Sequence, residues 1–88
     1  MNSDGIKEIN VLVVEDDPLN RTLVEGFLSE STLPISKVNS AESLNDALQF
    51  LDKDEFDVVL LDLNLPDSKE LDTLDRVVRK HPYLAIVV

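Results

Sequence analysis

Cysteine and tryptophan are absent from this 88-residue chain, glycine occurs only twice, and basic residues are scarce, with 8 Lys and Arg against 18 Asp and Glu and a formal charge of −10. Without thiols the chain can build neither a disulfide framework nor a thiolate metal site, which fits a reducing compartment. The negative surplus opposes phosphate backbones and anionic lipid, because every approach begins with repulsion rather than counterion release, so no direct nucleic-acid partner is expected. No apolar run reaches the length of a membrane span, and Met1 to Lys7 has neither the basic start nor the apolar stretch of a signal peptide. These absences lead to the expectation of a cytoplasmic protein with no membrane attachment. At 43% hydrophobic the chain can form a core, although one this short hides only roughly 60–65% of its unfolded surface. Linkers, repeats and low-complexity tracts are also missing, so the length accommodates one domain at most.

What is present alternates. After a polar lead of Asn2, Ser3, Asp4 and Gly5, the β-branched run Ile9 to Val14 reads as a buried strand stopped by Glu15-Asp16-Asp17-Pro18. Asp17 before Pro18 marks a helix start, and Leu19, Leu23, Val24, Phe27 and Leu28 recur at helical spacing up to Ser29. Leu33-Pro34 breaks that helix, Ile35 to Val38 gives a short strand, and Ser40 opens a second helix with its body from Glu42 to Glu55 and Leu44, Ala47, Leu48 and Leu51 inward. Phe56 to Leu61 is a strongly apolar strand that runs into Asp62-Leu63-Asn64-Leu65-Pro66-Asp67-Ser68. A third helix spans Lys69 to Lys80, with Leu71, Leu74, Val77 and Val78 inward and Arg76, Arg79 and Lys80 favourable to its dipole. Tyr83 to Val88 is a last apolar strand. The order β-α-β-α-β-α-β predicts an α/β fold with an open parallel sheet and helices on both faces, whose functional crevice lies at the carboxyl ends of the strands.

Both acidic clusters fall at such ends. If the first and third strands are neighbours, Glu15, Asp16 and Asp62 converge. Two carboxylates about 4 Å apart repel by roughly 4 kcal/mol at an effective dielectric near 20. Three in one place require either a raised pKa or a hard divalent cation, Mg²⁺ above all, because it needs few carboxylates and keeps positions for water and phosphate oxygens. A carboxylate beside such an ion is also a competent phosphoryl acceptor. The plainer alternative is that the acids are solvated helix caps, the role expected of Asp17.

Val11-Leu12-Val13-Val14-Glu15-Asp16-Asp17-Pro18-Leu19-Asn20-Arg21, taken with Asp57-Val58-Val59-Leu60-Leu61-Asp62-Leu63-Asn64-Leu65-Pro66-Asp67, resembles the receiver domain of two-component response regulators. The resemblance covers the whole chain. It implies a flavodoxin-like (βα)3β portion with sheet order 2-1-3-4, residues 1–88 forming a single truncated receiver domain. It further implies that Asp62 is the phosphoacceptor of a phosphorelay, forming an aspartyl phosphate at the expense of a phosphohistidine on a sensor histidine kinase or phosphotransfer protein. Asp16 and Asp62 would bind Mg²⁺ directly, Asn64 would contribute its backbone carbonyl, and Glu15 would act through a water. Pro66 would shape the loop after the acceptor, where Asp67-Ser68 stands in place of the Gly many members carry. A Ser or Thr after the last strand and a Lys at the end of a fifth strand have no counterpart here, so impaired phosphotransfer is expected. The exposed edge Leu84 to Val88 predicts self-association, for instance as a dimer.

Two rival functions belong to other classes. A receiver-like interaction module would assemble through its open edge without phosphotransfer. A haloacid-dehalogenase-like phosphohydrolase would need an Asp two positions after Asp62, where this chain has Asn64. His81 reads as a surface residue near a helix end, and Phe27, Phe50, Phe56 and Tyr83 as packing residues rather than a base-stacking platform. Arg21 and Asn20 face either a docking kinase or solvent.

Overall fold

Ile9–Val14 forms the central strand β1, and the computed structural model that contains it describes residues 8–88, so the polar lead Asn2 to Gly5 lies outside the described residues. Helix α1 (Pro18–Ser29) follows, then β2 (Ile35–Ala41), α2 (Leu44–Lys53) and β3 (Val58–Leu61). A short antiparallel hairpin, β4 (Asn64–Leu65) and β5 (Ser68–Lys69), precedes α3 (Glu70–Lys80) and the last strand β6 (Ala85–Val87). The main sheet is parallel, in the order β2-β1-β3-β6. This is the expected 2-1-3-4 arrangement, its fourth strand being β6 because the unanticipated hairpin intervenes. No helix among the described residues is long and apolar enough to cross a membrane.

The near-continuous apolar character of β1 follows from burial on both faces. Leu12 and Val14 join Val59 and Leu61 in a cluster with Leu44, Ala47 and Leu51 of α2 and Val77 of α3. Val11 and Val13, on the opposite face by the period of two, are equally buried. Each such Val or Leu contributes about 1.5–3 kcal/mol when withdrawn from water, so β1 is the strand least able to change.

Several expectations needed correction. β2 runs past Val38 to Ala41, and α2 starts at Leu44 with Ser43 as its cap rather than at Ser40. The strand is prolonged because it stays in register with β1 to the pair Val14–Ala41, and the Glu15 N–H then donates to the Ala41 carbonyl at 2.9 Å. On α3, Leu71 is 72% exposed and Val78 is exposed, whereas Thr73 and Val77 are fully buried. The Thr73 hydroxyl, 3.2 Å from the Leu63 carbonyl and 2.8 Å from Ser68 Oγ, sets the rotation of the helix. At 100° per residue, Leu71 must then point away. Phe27 is 75% and Tyr83 100% exposed, so only Phe50 and Phe56 among the aromatics pack as expected, edge to face with centroids 6.4 Å apart. His81 is half-buried, its ring 3.4 Å from Asp52, which also holds Lys80 at 3.2 Å.

Candidate functional site

Glu15 and Asp16 leave the end of β1, and Asp62 leaves the adjacent end of β3. Parallel pairing of Val14 with Leu61 aligns those ends, and the Asp62 N–H continues the ladder by donating to the Val14 carbonyl at 3.0 Å. Each of the three acids offers a carboxylate oxygen within 4.8 Å of the others. Residues 47 apart in sequence are thereby brought to one rim because β1 and β3 are neighbours.

The electrostatics record this crowding. The Glu15 carboxyl is pushed above its ordinary range, first by burial and then by a hydrogen bond to Asp62 and the charges of Asp62 and Asp16, against the opposing N–H of Asp17. The part of that push that comes from neighbouring carboxylates is one that a divalent cation would relieve. The donor set is made only of hard oxygens, which suits Mg²⁺. The residues present therefore fit the ion that the family resemblance implies.

Asn64 joins the cluster through its backbone, whose N–H donates to Asp62 Oδ1 at 3.0 Å and restrains the rotation of that carboxylate. Asp17 caps α1 as expected, accepting from the Leu19 N–H at 2.9 Å. Beside the cluster lies an open groove of about 480 Å³ lined by Val13, Glu15, Val24, Leu60, Asp62 and Val87, so the carboxylates are reached from an apolar approach.

Three features around the site had not been expected. Arg21 turns inward rather than to solvent: its guanidinium donates to the Glu15 carbonyl at 3.1 Å and reaches Glu42 at 3.5 Å. Asp67 accepts the N–H groups of Leu44 at 2.8 Å and Asn45 at 2.9 Å, joining the loop after Asp62 to the start of α2. Glu70 has φ of 53°, so the left-handed position that favours glycine falls at Glu70 rather than at Asp67 or Ser68. The Asp67 contact had no local signal, because its partners lie 22 and 23 residues away.

A family profile described as response regulator receiver domain matches residues 11–88. A protein-glutamate methylesterase/protein-glutamine glutaminase of Geobacillus kaustophilus is 35% identical over 83 residues, covering 94% of this chain and 24% of that protein. The response regulator protein PilR of Pseudomonas aeruginosa is 31% identical over 77 residues, covering 88% of this chain and 17% of PilR. The structure of the MaeR response regulator bound to beryllium trifluoride superposes with a TM-score of 0.81 at 29% identity, over 90% of this chain and 64% of that one. This chain thus spans about a quarter or less of these curated relatives.

Proposed function

Because this chain belongs to the response regulator receiver family, we propose that Asp62 is its phosphoacceptor, charged by a phosphohistidine of a sensor histidine kinase or a histidine phosphotransfer protein. Receiver domains act as phosphoacceptors for sensor histidine kinases and bind Mg²⁺ through acidic residues. In the transfer an Asp62 carboxylate oxygen forms a bond to phosphorus while the bond between phosphorus and the imidazole nitrogen breaks. The electron pair stays on that nitrogen, which takes up a proton, and the product is an acyl phosphate.

The observation that carries this reading is the meeting of Glu15, Asp16 and Asp62 within 4.8 Å. Asp16 and Asp62 would hold Mg²⁺ directly, Glu15 through a water, and Asn64 through its backbone carbonyl. When bound, the ion offsets charge on the transferring group. Asn64 N–H holds the acceptor carboxylate in one rotation, so less orientational freedom is lost on reaction.

Incubation with acetyl phosphate and Mg²⁺, followed by intact mass measurement, tests the assignment. The chain should gain one phosphoryl group and Asp62→Asn none. Labelling that persists in Asp62→Asn would remove Asp62 from the role.

A second, compatible reading is self-association through Leu84 to Val88. Its support is that, among the described residues, β6 forms an edge of the sheet with Ala85 and Val87 exposed. Sedimentation across a wide concentration range decides it, a constant monomer mass ending the idea.

A further inference from the structure

The hairpin that follows the acceptor is fastened to two helices. On one side the Thr73 hydroxyl of α3 sits against the Leu63 carbonyl and Ser68 Oγ. On the other, Asp67 reaches across to α2 with both carboxylate oxygens, Oδ1 on the Leu44 N–H and Oδ2 on the Asn45 N–H. A helix leaves its first N–H groups without internal partners, and here they are shared between two side chains. Ser43 Oγ accepts the Asp46 N–H at 3.1 Å, a local cap made by the residue next to the helix. Asp67 takes the two preceding N–H groups from a distant loop. A charged acceptor at the positive end of a helix makes short, strong hydrogen bonds, and two of them define direction as well as distance.

We infer that Asp67 is a positioning residue for the phosphoacceptor: its bidentate grip on the amino end of α2 sets the hairpin Asn64–Lys69, and through the Asn64 N–H the carboxylate of Asp62. The chain of contact is continuous. Asp67 holds the turn of the hairpin, β4 begins at Asn64, and the Asn64 N–H is on Asp62 Oδ1. The hairpin passes into α3 at Glu70, whose left-handed backbone persists only where surrounding contacts enforce it. Arg76 of α3 lies close enough to favour the Asp67 charge, so the grip is supported from the third helix as well. Because coupling between sites is reciprocal, a ligand that orders Asp62 must also steady the first amides of α2.

This inference rests on Asp62 being the acceptor, and the experiment separates the two. Asp67→Ala removes both acceptors and Asp67→Asn keeps one oxygen, while Ser43→Ala weakens the same helix end without touching the hairpin. Mg²⁺ affinity measured by calorimetry should fall about tenfold in Asp67→Ala, the scale seen when a supporting partner of a metal ligand is lost. It should fall less in Asp67→Asn and less than twofold in Ser43→Ala. Hydrogen exchange should show that beryllium fluoride with Mg²⁺ slows the Leu44 and Asn45 amides in the unmodified chain and in Ser43→Ala, and leaves them unchanged in Asp67→Ala. Equal losses of affinity in Asp67→Ala and Ser43→Ala, or no loss in Asp67→Ala, would overturn the inference. Should the unmodified chain bind no Mg²⁺ and take no phosphoryl group, the acceptor reading fails by itself. Metal-free exchange of the Asn64 to Lys69 amides then decides the grip, which is refuted if Asp67→Ala leaves their protection intact.

Discussion

The guanidinium of Arg21 donates to the main-chain carbonyl of Glu15 at 3.1 Å, so the first turn of α1 holds the backbone from which a site carboxylate springs. The same group reaches Glu42 at 3.5 Å, just before α2, and thus links the loops after β1 and β2. The charge of Arg21 serves the architecture of the rim. Its side chain is 19% exposed against 69% for Glu42, so the bond to the Glu15 carbonyl rather than the ion pair carries its contribution.

Arg21→Ala should therefore lower stability by about 1 kcal/mol, roughly 4–8 °C in Tm for a domain of this size. It should also weaken Mg²⁺ binding by loosening the Glu15 backbone. Thermal melts and metal titrations check this. An unchanged Tm would show that the Glu15 carbonyl finds water instead.

At Glu70 the backbone adopts φ of 53° with a side chain attached. Left-handed geometry costs a non-glycine residue about 1–2 kcal/mol, against roughly 0.5–1 kcal/mol of extra chain entropy for glycine. Glu70→Gly should stabilise the fold by about 0.5–1 kcal/mol, and Glu70→Val, being β-branched, should destabilise it. Denaturant midpoints at constant m-value provide the test. Loss of stability in the glycine variant would show that the Glu70 side chain contributes more than its backbone strains.

The pH dependence of the loop follows from Asp67. Burial by itself would raise its carboxyl, but the N–H groups of Asn45 and Leu44 and the charge of Arg76 outweigh that and hold it below the ordinary 3.8. The folded state then binds the proton less tightly than the unfolded one, so the contribution is complete above 3.8 and is lost as pH falls through the lower folded value. The Tm difference between the unmodified chain and Asp67→Asn, whose amide does not titrate, should be flat near about pH 6 and close below about pH 3.8. A gap that persists or widens in acid contradicts the contact.

Metal should stabilise the fold through the three carboxylates. At ten times its Kd, a ligand specific to the native state contributes about 1.4 kcal/mol, so Mg²⁺ should raise Tm and chelation should reverse the gain. Asp62→Asn should abolish the response while slightly stabilising the metal-free protein, since it removes one of the mutually repelling charges. Equal Mg²⁺ responses in both proteins would exclude Asp62 as a ligand.

Much of this molecule was legible before any coordinates. The Val and Leu runs of β1 and β3 can be hidden only between covering helices, and Asp17-Pro18 is a helix start by its own chemistry. Glu15, Asp16 and Asp62 stood out because acids that end two buried strands must share one rim when those strands are neighbours. The rotation of α3 was not legible, since Leu71 and Thr73 are both compatible with a helix and only the Leu63 carbonyl and Ser68 selected Thr73 as the buried one.

Composition and periodicity by themselves determined the class of fold, the order of its main elements and the acids at the strand ends, because these follow from backbone bonding and from burial of apolar side chains. Tertiary structure alone decided that Arg21 turns inward, that Asp67 closes the amino end of α2, and that Glu70 bears the left-handed turn. Each of those depends on a partner many residues away or on a chain path set by other contacts, and no local pattern encodes such a meeting.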